Sequence, residues 1–267
     1  MAKSVPIKRG DVYFIPPIPG YSESLRELPA VTTILDEVKK EAITNWKIRS
    51  TAEFCYANPG ATMREAFGAQ YKKSGEATLR GKTVHSWIQA YEKGAPLAPE
   101  ELPEDIRPYG LAFEKYVDRF HPRSLQLGET LANLTYGYGG TLDSLLVDAS
   151  GRTMLVDWKT GKAIYPEHRW QLSAYRRAEW ILVREGIETI AYPMPKVDGA
   201  MIVLLKPDGG FAIEEFADDF ETFLAYKHIW HTRYSGGKPC PDSCFCHRMF
   251  APDLKIVEEV AADVVGG

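Results

Sequence analysis

The feature that most constrains this chain is a change of hydrophobic period near residue 121. Before it, apolar residues recur at helical spacing, as at Tyr109, Phe113 and Val117. After it, Ser124–Tyr136, Gly140–Val147 and Thr153–Trp158 alternate as strands do, with Asp148-Ala-Ser-Gly-Arg152 as a turn. A helical lobe followed by a sheet with interspersed helices predicts an α/β (α+β) class: a mixed sheet core flanked by helices, with a helical N-terminal lobe.

The boundaries follow from local signals. Residues 1–27, rich in Pro and Gly, read as an extended arm, and 28–120 as the helical lobe. Within the lobe, Leu28–Leu35 opens a helix that Thr32 or Thr33 caps. One helical pattern covers Ala61–Lys73, and a second, after Gly75, runs from Glu76 to Lys93, where Gly94 closes it. Residues 121–234 form the core, with helices over Glu167–Glu185 and Asp218–Tyr234. Between them, Ala200–Lys206 and Phe211–Phe216 form a hairpin about Pro207-Asp-Gly-Gly210. Residues 235–267 are a cysteine-containing segment and tail.

A formal charge of −4 gives no global attraction to polyanions, so a DNA-binding groove would need local Lys and Arg clusters. The basic N-terminus has no apolar run behind it, and stretches such as Ala200–Leu205 are too short to span a bilayer. The expectation is a cytoplasmic protein without a membrane partner. Cys55 stands alone, whereas Cys240, Cys244 and Cys246 crowd one segment beside His247. Without a secretory signal, a disulfide framework is not expected.

The chemistry concentrates in the strand–turn–strand unit. Antiparallel pairing through Asp148–Arg152 brings Asp143 and Asp157 to one sheet end, where two carboxylates suit Mg²⁺ or Mn²⁺. Asp157 and Lys159, two apart, share a strand face, so Lys159 can point at a metal-polarised water. The Trp158 backbone carbonyl is a further candidate ligand. Taken singly, each piece has a plainer explanation. An Asp in a turn region is a turn former or a solvated charge, Lys159-Thr-Gly-Lys162 a polar loop, His85 a satisfied helix histidine, and Tyr175 a core residue on the stripe of Gln171, Ala178 and Leu182.

Taken in order, Gly81–His85, Gly140–Asp143, Asp157–Lys159 and Gln171–Tyr175 resemble the GxxxH, GxxD, (D/E)xK and QxxxY motifs of the RecB-like branch of the PD-(D/E)xK nucleases. That branch includes CRISPR-associated RecB-like exonucleases, the mitochondrial genome maintenance exonuclease and phage exonucleases. Leu28-Pro-Ala-Val-Thr-Thr-Ile-Leu35 also looks like the N-terminal region of the phage proteins. The resemblance implies a restriction-endonuclease-like core and metal ligation by His85, Asp143 and Asp157. It implies water positioning by Lys159, and site geometry or DNA-backbone contact by Gln171 and Tyr175. The implied substrate is DNA, single-stranded or with free ends. Glu129 is a candidate supporting carboxylate, or else a surface strand glutamate.

Some members of that branch hold an iron–sulfur cluster with one Cys before the His motif and three near the C-terminus. Cys55, Cys240, Cys244 and Cys246 fit that layout, although C-x3-C-x-C departs from the family's wider spacing. Zinc with His247, or free thiols, are the alternatives. Arg64, Lys72, Lys73, Arg80 and Lys82 are expected to form a basic wall, with Trp158, Trp170 and Tyr175 as stacking surfaces or core. The principal expectation is an exonuclease. The alternatives are an endonuclease with the same chemistry and a non-catalytic DNA-end-binding protein.

Overall fold

The computed structural model describes residues 8–38, 41–95, 97–185 and 188–234. The segment expected to be an extended arm is extended but paired. β1 (Lys8–Arg9), β2 (Val12–Ile15) and β3 (Arg26–Pro29) form an antiparallel sheet with Tyr13 opposite Leu28. Alternation along β2 turns Tyr13 and Ile15 to one side, where with Leu28 they pack on Ala132, Trp180 and Leu182.

α1 (Val31–Ile34) follows from Ala30, whose extended backbone begins the helix without a side-chain cap. The expected caps Thr32 and Thr33 lie inside it. After α2 (Glu41–Ala57) comes α3 (Met63–Glu92), one 30-residue helix where two were expected. Thr62 starts it with a reciprocal cap: the Glu65 amide donates to Thr62 Oγ1 at 3.3 Å, and the Thr62 amide donates to Glu65 Oε2 at 2.7 Å. Gly75 sits in its interior at a propensity cost of about 1 kcal/mol, which one residue in so long a helix absorbs. Gly94, at φ +77°, ends it as expected. α4 (Arg107–Phe120) buries Tyr109, Phe113 and Tyr116.

Downstream come β4 (Arg123–Leu127), β5 (Thr130–Asn133), β6 (Tyr138–Thr141), β7 (Ser144–Val147) and β8 (Thr153–Lys159). Then follow α5 (Pro166–Arg176), β9 (Trp180–Glu185), β10 (Glu188–Pro193), β11 (Gly199–Leu205), β12 (Phe211–Glu215) and α6 (Phe220–Tyr234). The helix expected over Glu167–Glu185 therefore stops at Arg176. Trp180-Ile-Leu-Val then pairs with β5 and β10, because non-local strand pairing outweighs a local pattern compatible with helix.

Two sheets organise the core: β10-β9-β5-β6, and the mixed β12-β11-β8-β7-β4, in which only the β11–β8 pair is parallel. Met154, Val156 and Trp158 of β8 and Met201, Val203 and Leu205 of β11 pack with the α3 and α4 residues Val84, Ile88 and Phe113. Leu155, Ala200 and Ile202 pack with Leu172, Tyr175 and Phe223 from α5 and α6. The five-stranded sheet is thus sandwiched between helices, as the α/β expectation requires. Among the described residues no helix is long and apolar enough to cross a membrane.

The β7–β8 turn is held by Asp148, whose carboxylate accepts from the Ser150 hydroxyl at 2.6 Å and from the Ser150 and Arg152 amides. The Ser150 hydroxyl bond is the chief cause of its pKa falling to about 2. A carboxyl depressed in the folded state stabilises above its unfolded pKa, and that stability disappears as pH falls from about 4 to about 2. Denaturation of Asp148→Ala beside wild type should show a stability gap that is flat above about pH 5 and closes below about pH 4.

Candidate active site

α3, the bend between β6 and β7, the end of β8 and the first turns of α5 meet at one end of the five-stranded sheet. His85 projects from α3, and its Nδ1 lies 3.1 Å from Asp143 Oδ1. The other carboxylate oxygen, Oδ2, accepts the Trp158 amide at 3.0 Å. That bond fixes the Trp158 main chain beside Asp143 and keeps its carbonyl a candidate further donor. Lys159 Nζ lies 2.6 Å from Asp157 Oδ2. From α5, Gln171 Nε2 donates to Asp157 Oδ1 at 3.4 Å and to the Tyr175 hydroxyl at 3.3 Å. His85 and Asp143 thus form one pair and Asp157, Lys159, Gln171 and Tyr175 a second set, with the Trp158 main chain, bonded to Asp143 and next to Asp157, between them.

Burial separates the roles of the two carboxylates. The Asp157 side chain is 4% exposed, against 18% for Asp143, 22% for Lys159 and 27% for His85. Burial pushes the Asp157 pKa up, with Lys159 opposing and Asp143 reinforcing the rise. For Asp143, burial acts upward, but the hydrogen bond and charge of His85 outweigh it and hold the pKa low. Burial likewise opposes the charged forms of His85 and Lys159. Asp143 raises His85 despite it, and Asp157 raises Lys159. Two acids and two bases thus offset one another's charge in a largely buried group.

The glycine of the GxxD motif has a physical reason. A Cβ on Gly140 would lie 2.2 Å from Tyr175 Cε1, so the QxxxY tyrosine packs directly against bare backbone. The Gly81 position differs, since a Cβ there would meet Thr160 Oγ1 at an ordinary 3.6 Å.

Donor chemistry fits a hard divalent cation. Two carboxylates and an imidazole lie within range of one another's charge, and Asp157 Oδ2 is a buried oxygen that faces the Lys159 ammonium. Lys159 Nζ is its ion-pair partner. Among the described residues no three His, Cys, Asp or Glu side chains form a ready-made metal-binding group.

Other expected residues are less central. Glu129 lies between β4 and β5, not on a strand, and its backbone carbonyl accepts the Leu142 amide at 3.0 Å. Trp158 and Tyr175 are 1% and 4% exposed, which makes them core and leaves no stacking surface. Trp170 is half-buried and donates to Asp219 Oδ2 at 2.7 Å. Of the basic wall, Arg64, Lys72 and Lys82 are exposed, whereas Arg80 turns inward over the Tyr109 ring. The Lys73 side chain lies outside the described residues. Cys55 is an exposed free thiol on α2. Its proposed partners Cys240, Cys244 and Cys246, with His247, lie outside the described residues.

Sequence reasoning missed three contributors. Tyr13, from the arm, bonds Thr141 Oγ1 at 2.8 Å beside the GxxD segment. Ser144 on β7 accepts the Trp158 indole N–H at 2.9 Å and donates to Glu92 Oε2 at 2.9 Å. Burial pushes the Glu92 pKa up to about 7, with Ser144 opposing and Asp143 adding to the rise. Glu92 follows His85 by seven positions, so the shared helix face was there to be read.

No family model matches the chain, and no curated protein matches it. Among solved structures it is similar to the crystal structure of SSO0001, at 17% identity over 78% of this chain and 85% of that one, with a TM-score of 0.32. At that score the likeness adds nothing to the chemistry of the site.

Proposed function

We propose that this chain is a metal-dependent deoxyribonuclease of PD-(D/E)xK type that hydrolyses phosphodiester bonds at single-stranded or frayed DNA ends. The observation that carries the reading is the grouping of His85, Asp143, Asp157 and Lys159 at one sheet end, each close enough to feel the charge of the others.

His85, Asp143 and Asp157 would hold Mg²⁺ or Mn²⁺. When bound, the ion supplies a hydroxide at neutral pH and neutralises charge on the scissile phosphate. Asp157 presents a buried oxygen whose carboxylate plane Gln171 fixes from the far side. Lys159 keeps its ammonium charge beside Asp157, where it would orient the attacking water and offset charge developing on the phosphate. Tyr175, pressed on Gly140, sets the distance between α5 and the GxxD segment. Arg64, Lys72 and Lys82 are exposed along the helix that carries His85 and are suited to backbone phosphates, so affinity should fall with salt and depend little on sequence.

The test compares end-labelled linear single strands with closed circular ones, in Mn²⁺ and in chelator. Linear strands should be degraded from an end and circles spared, with no cleavage of either in chelator. Equal cutting of circles replaces the exonuclease reading with an endonuclease, and cleavage that survives chelation removes the metal-dependent reading altogether.

A further inference from the structure

The Trp158–Ser144–Glu92 chain is not needed to explain the fold, and Glu92 is badly placed for stability. It is the last residue of α3, where the carbonyl end of the helix disfavours negative charge, and it is half-buried. A glutamate kept there against both burial and the helix dipole calls for a role that an apolar residue could not fill.

Its geometry supplies one. α3 meets the β7 end of the sheet at two polar points, His85 on Asp143 and Glu92 on Ser144. The points are seven residues apart, roughly 10 Å along the helix axis. A helix fastened at one point can pivot about it, whereas two points fix its angle. Ser144 is fully buried, and its hydroxyl accepts the indole N–H of Trp158, the residue between Asp157 and Lys159. Trp158 in turn gives its backbone N–H to Asp143. Its ring is wedged against Phe113 and Tyr116 of α4 and cannot drift. The chain therefore runs from the helix that carries His85 to the strand that carries Asp157 and Lys159, through the neighbour of Asp143.

We infer that Glu92 is a positioning residue, acting through Ser144 and Trp158 to fix the relative placement of His85, Asp143 and Asp157 for metal binding. This rests on the nuclease reading above. Glu92 touches none of the three side chains directly, so its effect should appear in metal affinity and turnover more than in overall stability.

The test measures Mn²⁺ binding by calorimetry and DNA turnover in parallel for wild type, Glu92→Gln, Glu92→Leu and Ser144→Ala, with near-ultraviolet circular dichroism to certify folding. Glu92→Gln keeps a carbonyl that can accept from Ser144 and should stay within about threefold of wild type, while Glu92→Leu and Ser144→Ala should each lose about 10- to 100-fold in Mn²⁺ affinity. Ser144→Ala, nearly isosteric, reads the chain even if Glu92→Leu fails to fold. A folded Glu92→Leu or Ser144→Ala that binds Mn²⁺ as wild type does overturns the inference and leaves the nuclease reading standing. So does a Glu92→Gln that loses as much as Glu92→Leu. A wild type that binds Mn²⁺ but cuts no DNA overturns the nuclease reading while affinity still decides the inference, and a wild type that binds no Mn²⁺ overturns both.

Discussion

On the proposed reading, Asp143→Ala and Asp157→Ala should each lower DNA hydrolysis by on the order of 10⁴-fold or more, because each would remove ligand oxygens that the transition state depends on. Lys159→Ala should cost less, about 10²- to 10³-fold, the scale of losing one preorganised charge beside a developing negative centre. The stability effects should run in the opposite order. Asp157 is 4% exposed and Lys159 is its ion-pair partner. Truncating Lys159 strands a buried carboxylate, a loss of about 3–5 kcal/mol in fully buried pairs. Here the lower end of that range applies, since Lys159 is 22% exposed and water can replace part of its charge. Burial already holds the Asp157 pKa up, and without Lys159 it should rise further, so the stranded group escapes part of the cost by taking up a proton. Single-turnover cleavage and denaturant midpoints, measured on the same three variants, separate the two orders. An Asp157→Ala variant that cuts within about tenfold of wild type would remove that residue from the chemistry.

Gly140→Ala should be the most damaging single methyl in the core. The added Cβ would sit 2.2 Å from Tyr175 Cε1 and 2.8 Å from its Cζ. Tyr175 is 4% exposed and packed among Leu142, Leu172 and Ala174, so the ring has no space to retreat into. Overpacking of this kind costs about 1–3 kcal/mol and occasionally more. The displaced ring would also pull on Gln171, and through it on Asp157, so turnover should fall with stability. Gly81→Ala is the matched control. Its Cβ meets one hydroxyl at 3.6 Å inside a long helix, and it should leave activity nearly intact while adding up to about 1 kcal/mol of helix stability. Equal tolerance of both substitutions, in denaturation and in turnover, would mean that the Gly140–Tyr175 contact does not support the site.

The parts of the site that were legible in sequence are those fixed by local geometry. Asp157 and Lys159 alternate onto one strand face, Gln171 and Tyr175 lie one helical turn apart, and the Asp148 turn dictates the β7–β8 pairing that sets Asp143 near Asp157. What could not be read depends on partners distant in sequence. Trp180–Glu185 continues an apolar stripe that suits a helix until β5 offers it a pairing edge. The N-terminal arm shows alternation over only four residues, and its sheet is settled by Tyr13 and Ile15 packing on Trp180 and Leu182. Glu92 belonged to no motif, although its helix phase relative to His85 was available. The meaning of that phase emerges only once Ser144 is seen between Glu92 and Trp158.

The most direct test of the central claim is cleavage of an end-labelled linear single strand of DNA by wild type and Asp157→Ala, prepared side by side, with Mn²⁺ and with excess chelator. The account predicts shortening of the strand by wild type in Mn²⁺ alone and an intact strand in the other three lanes. A wild type that leaves the strand intact in Mn²⁺, or an Asp157→Ala variant that degrades it at the wild-type rate, would contradict it.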